Sequence, residues 1–134
     1  MGRKKKIRQP GISDEVYKLY KSKPGLKNID ISIFQQWFDA KNGCCDYCGL
    51  TSKESLILFN RYPQSTRGGR RGKRLELDRI DPTIRSYGSS IKNLALACYW
   101  CNNAKTNYFT YNEFIIIGKK MKEVQQARIN AIKP

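Results

Sequence analysis

Along this chain the apolar positions change their period several times, and each change marks a candidate element. In SDEVYKLYKSK the spacing is that of a short helix, with Ser13 as N-cap, Asp14 and Glu15 in the first turn and Pro24-Gly25 ending it. NIDISIFQQWFDAKNG places Ile33, Phe34, Trp37 and Phe38 at helical spacing before Asn42-Gly43, which predicts a core helix with a C-terminal stop. After a cysteine-rich stretch comes the short apolar run SLILF, then the Gly- and Arg-rich loop NRYPQSTRGGRRGKR. RLELDRIDP alternates like a half-buried strand and halts at Pro82, and SYGSS reads as a turn. IKNLALACYWCNNAK runs from a short apolar strand into a helix, and the tail EFIIIGKKMKEVQQARINAIK is helical in pattern apart from Ile115 to Ile117 and Gly118.

The charge narrows the partners. Across 134 residues, 26 Lys plus Arg against 11 Asp plus Glu give a formal net charge of +15. That excess points to a polyanion, with nucleic acid first and a basic ribosome-associated surface as the plainer alternative. Residues 1–12, with Arg3, Lys4, Lys5, Lys6 and Arg8, read as a basic flexible arm, and 13–134 as a single domain. No stretch approaches the ~20 apolar residues of a membrane span, so no membrane partner is expected. The expected location is the cytoplasm, or the nucleus in a eukaryote. The oligomeric state is not legible.

Five cysteines in such a chain do not suggest a disulfide framework. Cys45 and Cys48 form one CxxC pair, and Cys98 and Cys101 form another about fifty residues on. Two such pairs supply the tetrahedral thiolate shell that Zn2+ favours, and a closed shell of four sulfurs is structural rather than catalytic. Cys44 offers a wider CxxxC alternative to Cys45, but CxxC is the commoner knuckle and Cys44 is assigned to packing.

The ordered set Cys45-Asp-Tyr-Cys48-Gly, Leu75-Glu-Leu-Asp78-Arg79-Ile-Asp81-Pro82, Gly88 and Asn93-Leu-Ala-Leu-Ala-Cys98-Tyr-Trp-Cys101-Asn102-Asn-Ala-Lys105 resembles the zinc-bearing HNH endonucleases, particularly small phage-type members. The resemblance implies an α+β fold with a ββα-metal core over about 44–114, flanked by N- and C-terminal helices. It implies a strand ending at Asp78, a second strand near Leu94 to Ala97 and a helix from around Asn102. It further implies that Asp78 and Asn102 hold a catalytic Mg2+ or Mn2+, that Asn93 pins the loop, and that double-stranded or branched DNA is the substrate. A carboxylate and an amide oxygen suit such hard cations.

No histidine is present, and Arg79 stands where the family carries its general base. Guanidinium stays protonated near neutral pH, so it is a poor proton acceptor but a good phosphate clamp. Three readings follow. Arg79 clamps the phosphate in a slower nuclease, or Asp81, Glu76 or Tyr87 supplies the base, or catalysis is lost and a zinc-stabilised DNA-binding or accessory protein remains. Strand alternation sends Leu75, Leu77 and Arg79 to one face and Glu76 and Asp78 to the other, so Asp78 and Arg79 converge only if the strand bends. Arg67, Arg70, Arg71, Lys73, Arg74 and Lys105 are the expected phosphate contacts.

Overall fold

The structure, a computed structural model, describes residues 9–63, 71–81, 83 and 91–132. The basic run Arg3 to Arg8, the loop residues Arg67 and Arg70, the strand-ending Pro82 and Tyr87 lie outside the described residues.

Helix α1 spans Asp14–Ser22, and the Ser13 hydroxyl caps it by accepting from the Val16 N–H at 3.3 Å. Val16 and Leu19 are its buried residues. A 3-10 turn at Pro24–Asn28 then buries Leu26 and leads to α2, Ile31–Ala40, whose N-cap is Asp30. Phe34 and Phe38 are buried and Trp37 is partly so, but Ile33 is 50% exposed. The expected four-residue stripe is therefore narrower by one position, and the helix packs on α1. The helix exits through Asn42 and Gly43, both with positive φ (55° and 65°).

The next turn is the first cysteine knuckle. The Cys45 N–H bonds to the Leu50 carbonyl at 2.8 Å, and the Gly49 N–H returns to the Cys45 carbonyl at 2.9 Å. Gly49 sits at φ 76°, where a side chain would be strained. The run SLILF, with no element assigned from its pattern, lies in helix α3, Ser52–Arg61. Thr51 and Glu54 close a reciprocal capping box at its start. Ser55, Leu58 and Phe59 face inward, and the Ser55 hydroxyl bonds to the Gly72 carbonyl at 2.6 Å.

Strands β1 (Glu76–Arg79) and β2 (Leu94–Ala97) pair antiparallel, Glu76 with Ala97 through Arg79 with Leu94. Every residue of β2 is buried, and the Asp46 N–H joins the knuckle to the Leu96 carbonyl at 2.7 Å. Helix α4 runs Tyr99–Lys105 and begins three residues before the expected start at Asn102. The reason is Cys98, which takes the N-cap position and accepts from the Cys101 N–H through its sulfur at 3.3 Å. Helix α5 is continuous over Tyr111–Ile132. Gly118 does not interrupt it. A Cβ there would lie 2.3 Å from the Tyr47 carbonyl oxygen, so the bare backbone of α5 rests directly on the knuckle. All four paired cysteines belong to one core cluster with Leu75, Leu77, Phe114 and Ile129.

Candidate active site

Two chain segments far apart in sequence bring the sulfurs together. The Sγ atoms of Cys45, Cys48, Cys98 and Cys101 all lie within 4.8 Å of one another, and all four residues are buried. Cys48 and Cys98 are 3.7 Å apart, close to the ~3.8 Å edge of a tetrahedron built on ~2.3 Å metal–sulfur bonds. The group is positioned to hold one metal ion. Sharing of protons among the sulfurs pulls the Cys45 thiol down, foremost through Cys101, while Cys101 is pushed up, foremost by Cys45. Cys44 is outside the cluster, half-buried, with its Sγ 3.4 Å from the Asn42 carbonyl.

The β1–α4 seam lies beside this cluster. Glu76 and Asp78 share one face of β1, as strand alternation requires, while Asn102 and Lys105 are three apart on α4. The two elements meet in rungs. Asn102 donates through Nδ2 to Glu76 Oε1 at 3.1 Å, and Lys105 Nζ lies 3.2 Å from Asp78 Oδ2. Tyr47, at the tip of the first knuckle, donates its hydroxyl to the same Asp78 oxygen at 2.6 Å. Burial, and then the bond to Asp78, push the Tyr47 phenol well above its ordinary value, so it remains a donor. Tyr111 and Phe114 rings pack on Tyr47 with centroids 5.4 and 5.1 Å away.

Asp78 and Asn102 thus belong to adjacent rungs rather than to one. Two strand residues advance about 6.6 Å and three helical residues about 4.5 Å. The side chain of Asp78 is only 10% exposed, and its Oδ1 has no hydrogen-bond partner among the described residues. Such a buried, half-satisfied carboxylate invites a cation or a bound water. A carboxylate oxygen and an amide oxygen are donor types that a hard divalent ion takes.

Lys105 corrects an expectation. It is not available as a phosphate contact: the residue is fully buried, and its ammonium lies against Asp78 and donates to the Arg79 carbonyl at 3.1 Å. Its position on the inner face of α4 decides this, because an exposed lysine would need the opposite face. Glu76 is likewise engaged, held bidentately by Arg71 at 2.6 and 2.9 Å.

Strand β1 stays paired through Arg79, so Asp78 and Arg79 do not converge by a bend within the strand. The Arg79 guanidinium instead reaches the Asn107 amide oxygen at 3.2 Å, just beyond α4. Asn93 brackets Asp81: its Oδ1 accepts from the Asp81 N–H at 2.8 Å, and its Nδ2 lies 3.4 Å from the Asp81 carbonyl. Hydrogen bonds from the Thr83 hydroxyl and N–H hold the Asp81 carboxyl below its ordinary value, which weakens it as a base.

Beside the Glu76–Asn102 rung opens a cleft of about 510 Å³, whose lining includes Lys23, Arg71, Lys73, Arg74, Glu76 and Asn102. Lys73 and Arg74 are exposed there, while Arg71 also stacks over the Tyr99 ring at 4.8 Å. Lys23, at the end of α1, was not among the expected contacts; its charge was readable but its place beside β1 was not. Tyr47 was missed for the same reason, since nothing in CDYC says where the tyrosine points.

A two-stranded antiparallel sheet followed by a helix, clasped by two cysteine knuckles, defines the ββα-metal class of α+β fold. Residues 45–108, just under half of the chain, match the family model described as HNH endonuclease. Among solved structures it is similar to the rare-cutting HNH restriction endonuclease PacI, with a TM-score of 0.62 and 23% identity over 85% of this chain and 76% of that one. At that identity the likeness is one of fold. No curated protein matches the chain significantly. No described helix is long and apolar enough to cross a membrane.

Proposed function

We propose that this protein is a metal-dependent DNA endonuclease that hydrolyses phosphodiester bonds. In this reading Zn2+ fills the four-thiolate site as a structural ion, and Asp78, with Asn102 from the neighbouring rung, holds Mg2+ or Mn2+. The observation that carries it is the Asp78 carboxylate, nearly buried at the strand–helix seam of a segment that matches the HNH endonuclease model, with one oxygen gripped by Tyr47 and Lys105 and the other without a partner among the described residues.

A bound divalent ion supplies positive charge to a phosphate and acidifies water. Arg79 grips the scissile phosphate and stabilises the charge that develops on it. Asn93 holds the backbone at Asp81 and so fixes the turn that follows Arg79. Lys23, Lys73 and Arg74 line the path of the DNA backbone, joined by Arg67, Arg70 and Arg71. Without a histidine the reaction lacks a group that typically contributes ~10²–10⁴-fold, so turnover is slow.

The test is plasmid nicking by zinc-loaded protein with Mg2+ or Mn2+, comparing wild type, Asp78→Asn and Arg79→His. Asparagine is the appropriate replacement because it removes the negative charge that would hold a cation while keeping an oxygen that can accept from the Lys105 ammonium and the Tyr47 hydroxyl. Cleavage should vanish in Asp78→Asn, and Arg79→His should be at least as active as wild type near neutral pH. Undiminished cleavage by Asp78→Asn overturns the assignment. The ammonium already seated on Asp78, together with the missing histidine, favours one other reading, a noncatalytic zinc-stabilised DNA-binding protein. It predicts salt-sensitive binding and no cleavage with any divalent ion.

A further inference from the structure

We propose that a divalent cation loads at Asp78 only together with DNA, because Lys105 already serves as the counter-ion of that carboxylate. The inference rests on the nuclease reading above and names the condition under which its site fills.

The charges around the seam are already balanced. Glu76 is matched by Arg71 at 2.6 Å and Asp78 by Lys105 at 3.2 Å. Asp81 also feels Lys105, and Arg79 extends from the same strand. The two seam carboxylates, Glu76 and Asp78, are therefore each already matched by one cation. A dication arriving alone would add positive charge with no uncompensated carboxylate to receive it. Nor can Lys105 withdraw easily: its side chain is 1% exposed, and its ammonium is tied to the Arg79 carbonyl at 3.1 Å. The repulsion between the two cations acts at short range in a poorly hydrated setting, where screening is weak.

DNA supplies the missing charge. A phosphate entering from the basic cleft brings negative oxygens to the ion and to Arg79 at once. Affinity for the ion and affinity for DNA are then linked, and each must raise the other by the same factor. The buried lysine works as a positioning residue for Asp78 and as a gate on the ion, without touching the substrate.

Two measurements on zinc-loaded protein test this. Free Mn2+ is followed by electron paramagnetic resonance during titration of wild type and Lys105→Met without DNA. Duplex binding is followed by fluorescence anisotropy with and without Mn2+ at constant ionic strength, in wild type and Asp78→Asn. We expect Lys105→Met to bind Mn2+ at least tenfold more tightly than wild type. Mn2+ should tighten duplex binding by wild type at least fivefold and leave Asp78→Asn unchanged. Should Lys105→Met fail to fold, the anisotropy comparison decides alone. Equal Mn2+ binding by folded wild type and Lys105→Met, or Mn2+ binding to wild type that leaves its affinity for DNA unchanged, overturns the gate while leaving the nuclease reading intact. Absence of Mn2+ binding to wild type and to Lys105→Met, together with no effect of Mn2+ on duplex binding, overturns the gate by removing the metal site on which the nuclease reading depends.

Discussion

Gly118→Ala sets two effects of opposite sign against each other. In the middle of a long helix, alanine is favoured over glycine by about 1 kcal/mol. Here, however, the added methyl would stand 2.3 Å from the Tyr47 carbonyl oxygen, 2.7 Å from its carbonyl carbon and 2.9 Å from its Cβ. Two of those atoms are backbone, in a turn pinned by the Cys45–Leu50 and Cys45–Gly49 hydrogen bonds, so no side-chain rotation relieves the contact. Relief to ordinary van der Waals distance requires a shift of roughly 1 Å between α5 and the knuckle, and overpacking of a well-filled core costs typically ~1–3 kcal/mol, sometimes more. With backbone on both sides the upper end applies, and the net loss is about 1–3 kcal/mol. For a domain of this size that lowers Tm by about 4–12 °C. The assay is thermal unfolding followed by circular dichroism on zinc-loaded protein at fixed concentration. A Tm equal to or above wild type would mean that helix propensity wins, and that α5 does not rest on the knuckle as described. Because Tyr47 also holds Asp78, the same variant should lose more cleavage activity than a destabilised variant remote from the knuckle.

Chelation of the ion proposed for the four-cysteine site, or Cys101→Ser, should abolish cooperative unfolding, because apparent zinc affinities of ~10–16 kcal/mol exceed the net stability of a typical domain; an unchanged melt without metal refutes it. Thr51→Ala removes one half of the α3 capping box and should cost about 1 kcal/mol, read as a shift in urea midpoint at constant slope. Tyr47→Phe deletes one donor to Asp78 and should weaken Mn2+ dependence in the presence of DNA while zinc content stays at one equivalent; an unaltered metal titration argues against any role for the hydroxyl. Asp30 is held below its ordinary value by the Ser32 hydroxyl and N–H, so its contribution is present above the unfolded aspartate pKa and lost as pH falls through the lower folded value. The stability difference between wild type and Asp30→Asn should accordingly stay constant near neutrality and change only in that acidic window, as followed by melts across pH.

Much of the arrangement was legible because it depends on spacing. The two CxxC pairs, the apolar run of β2 and the Ser13 cap act locally, and local signals survive without knowledge of the partner. The capping box TSKE before SLILF was also local, and reading it would have given α3. Helix α4 starts earlier than expected because Cys98, whose sulfur takes the cap, serves both cap and cluster. Lys105 was read by type as a surface cation, but which face of α4 meets β1 is a tertiary fact that a seven-residue helix does not disclose by its pattern. Tyr47 and Lys23 depend on contacts across 31 residues of chain or more, which no periodicity encodes.

Because Cys98 caps α4 and Cys101 lies within it, the sulfur cluster fixes the rotation of that helix as an index pin fixes a dial. Each further residue turns by about 100°, so Asn102 and Lys105 come to face β1 only by counting from the pin. One alanine inserted between Cys101 and Asn102 would leave every sulfur in place and still swing both side chains away from the sheet. Natural variation in length should therefore be tolerated before the first knuckle or after Asn107, and be nearly forbidden in the few positions between the last sulfur and Lys105.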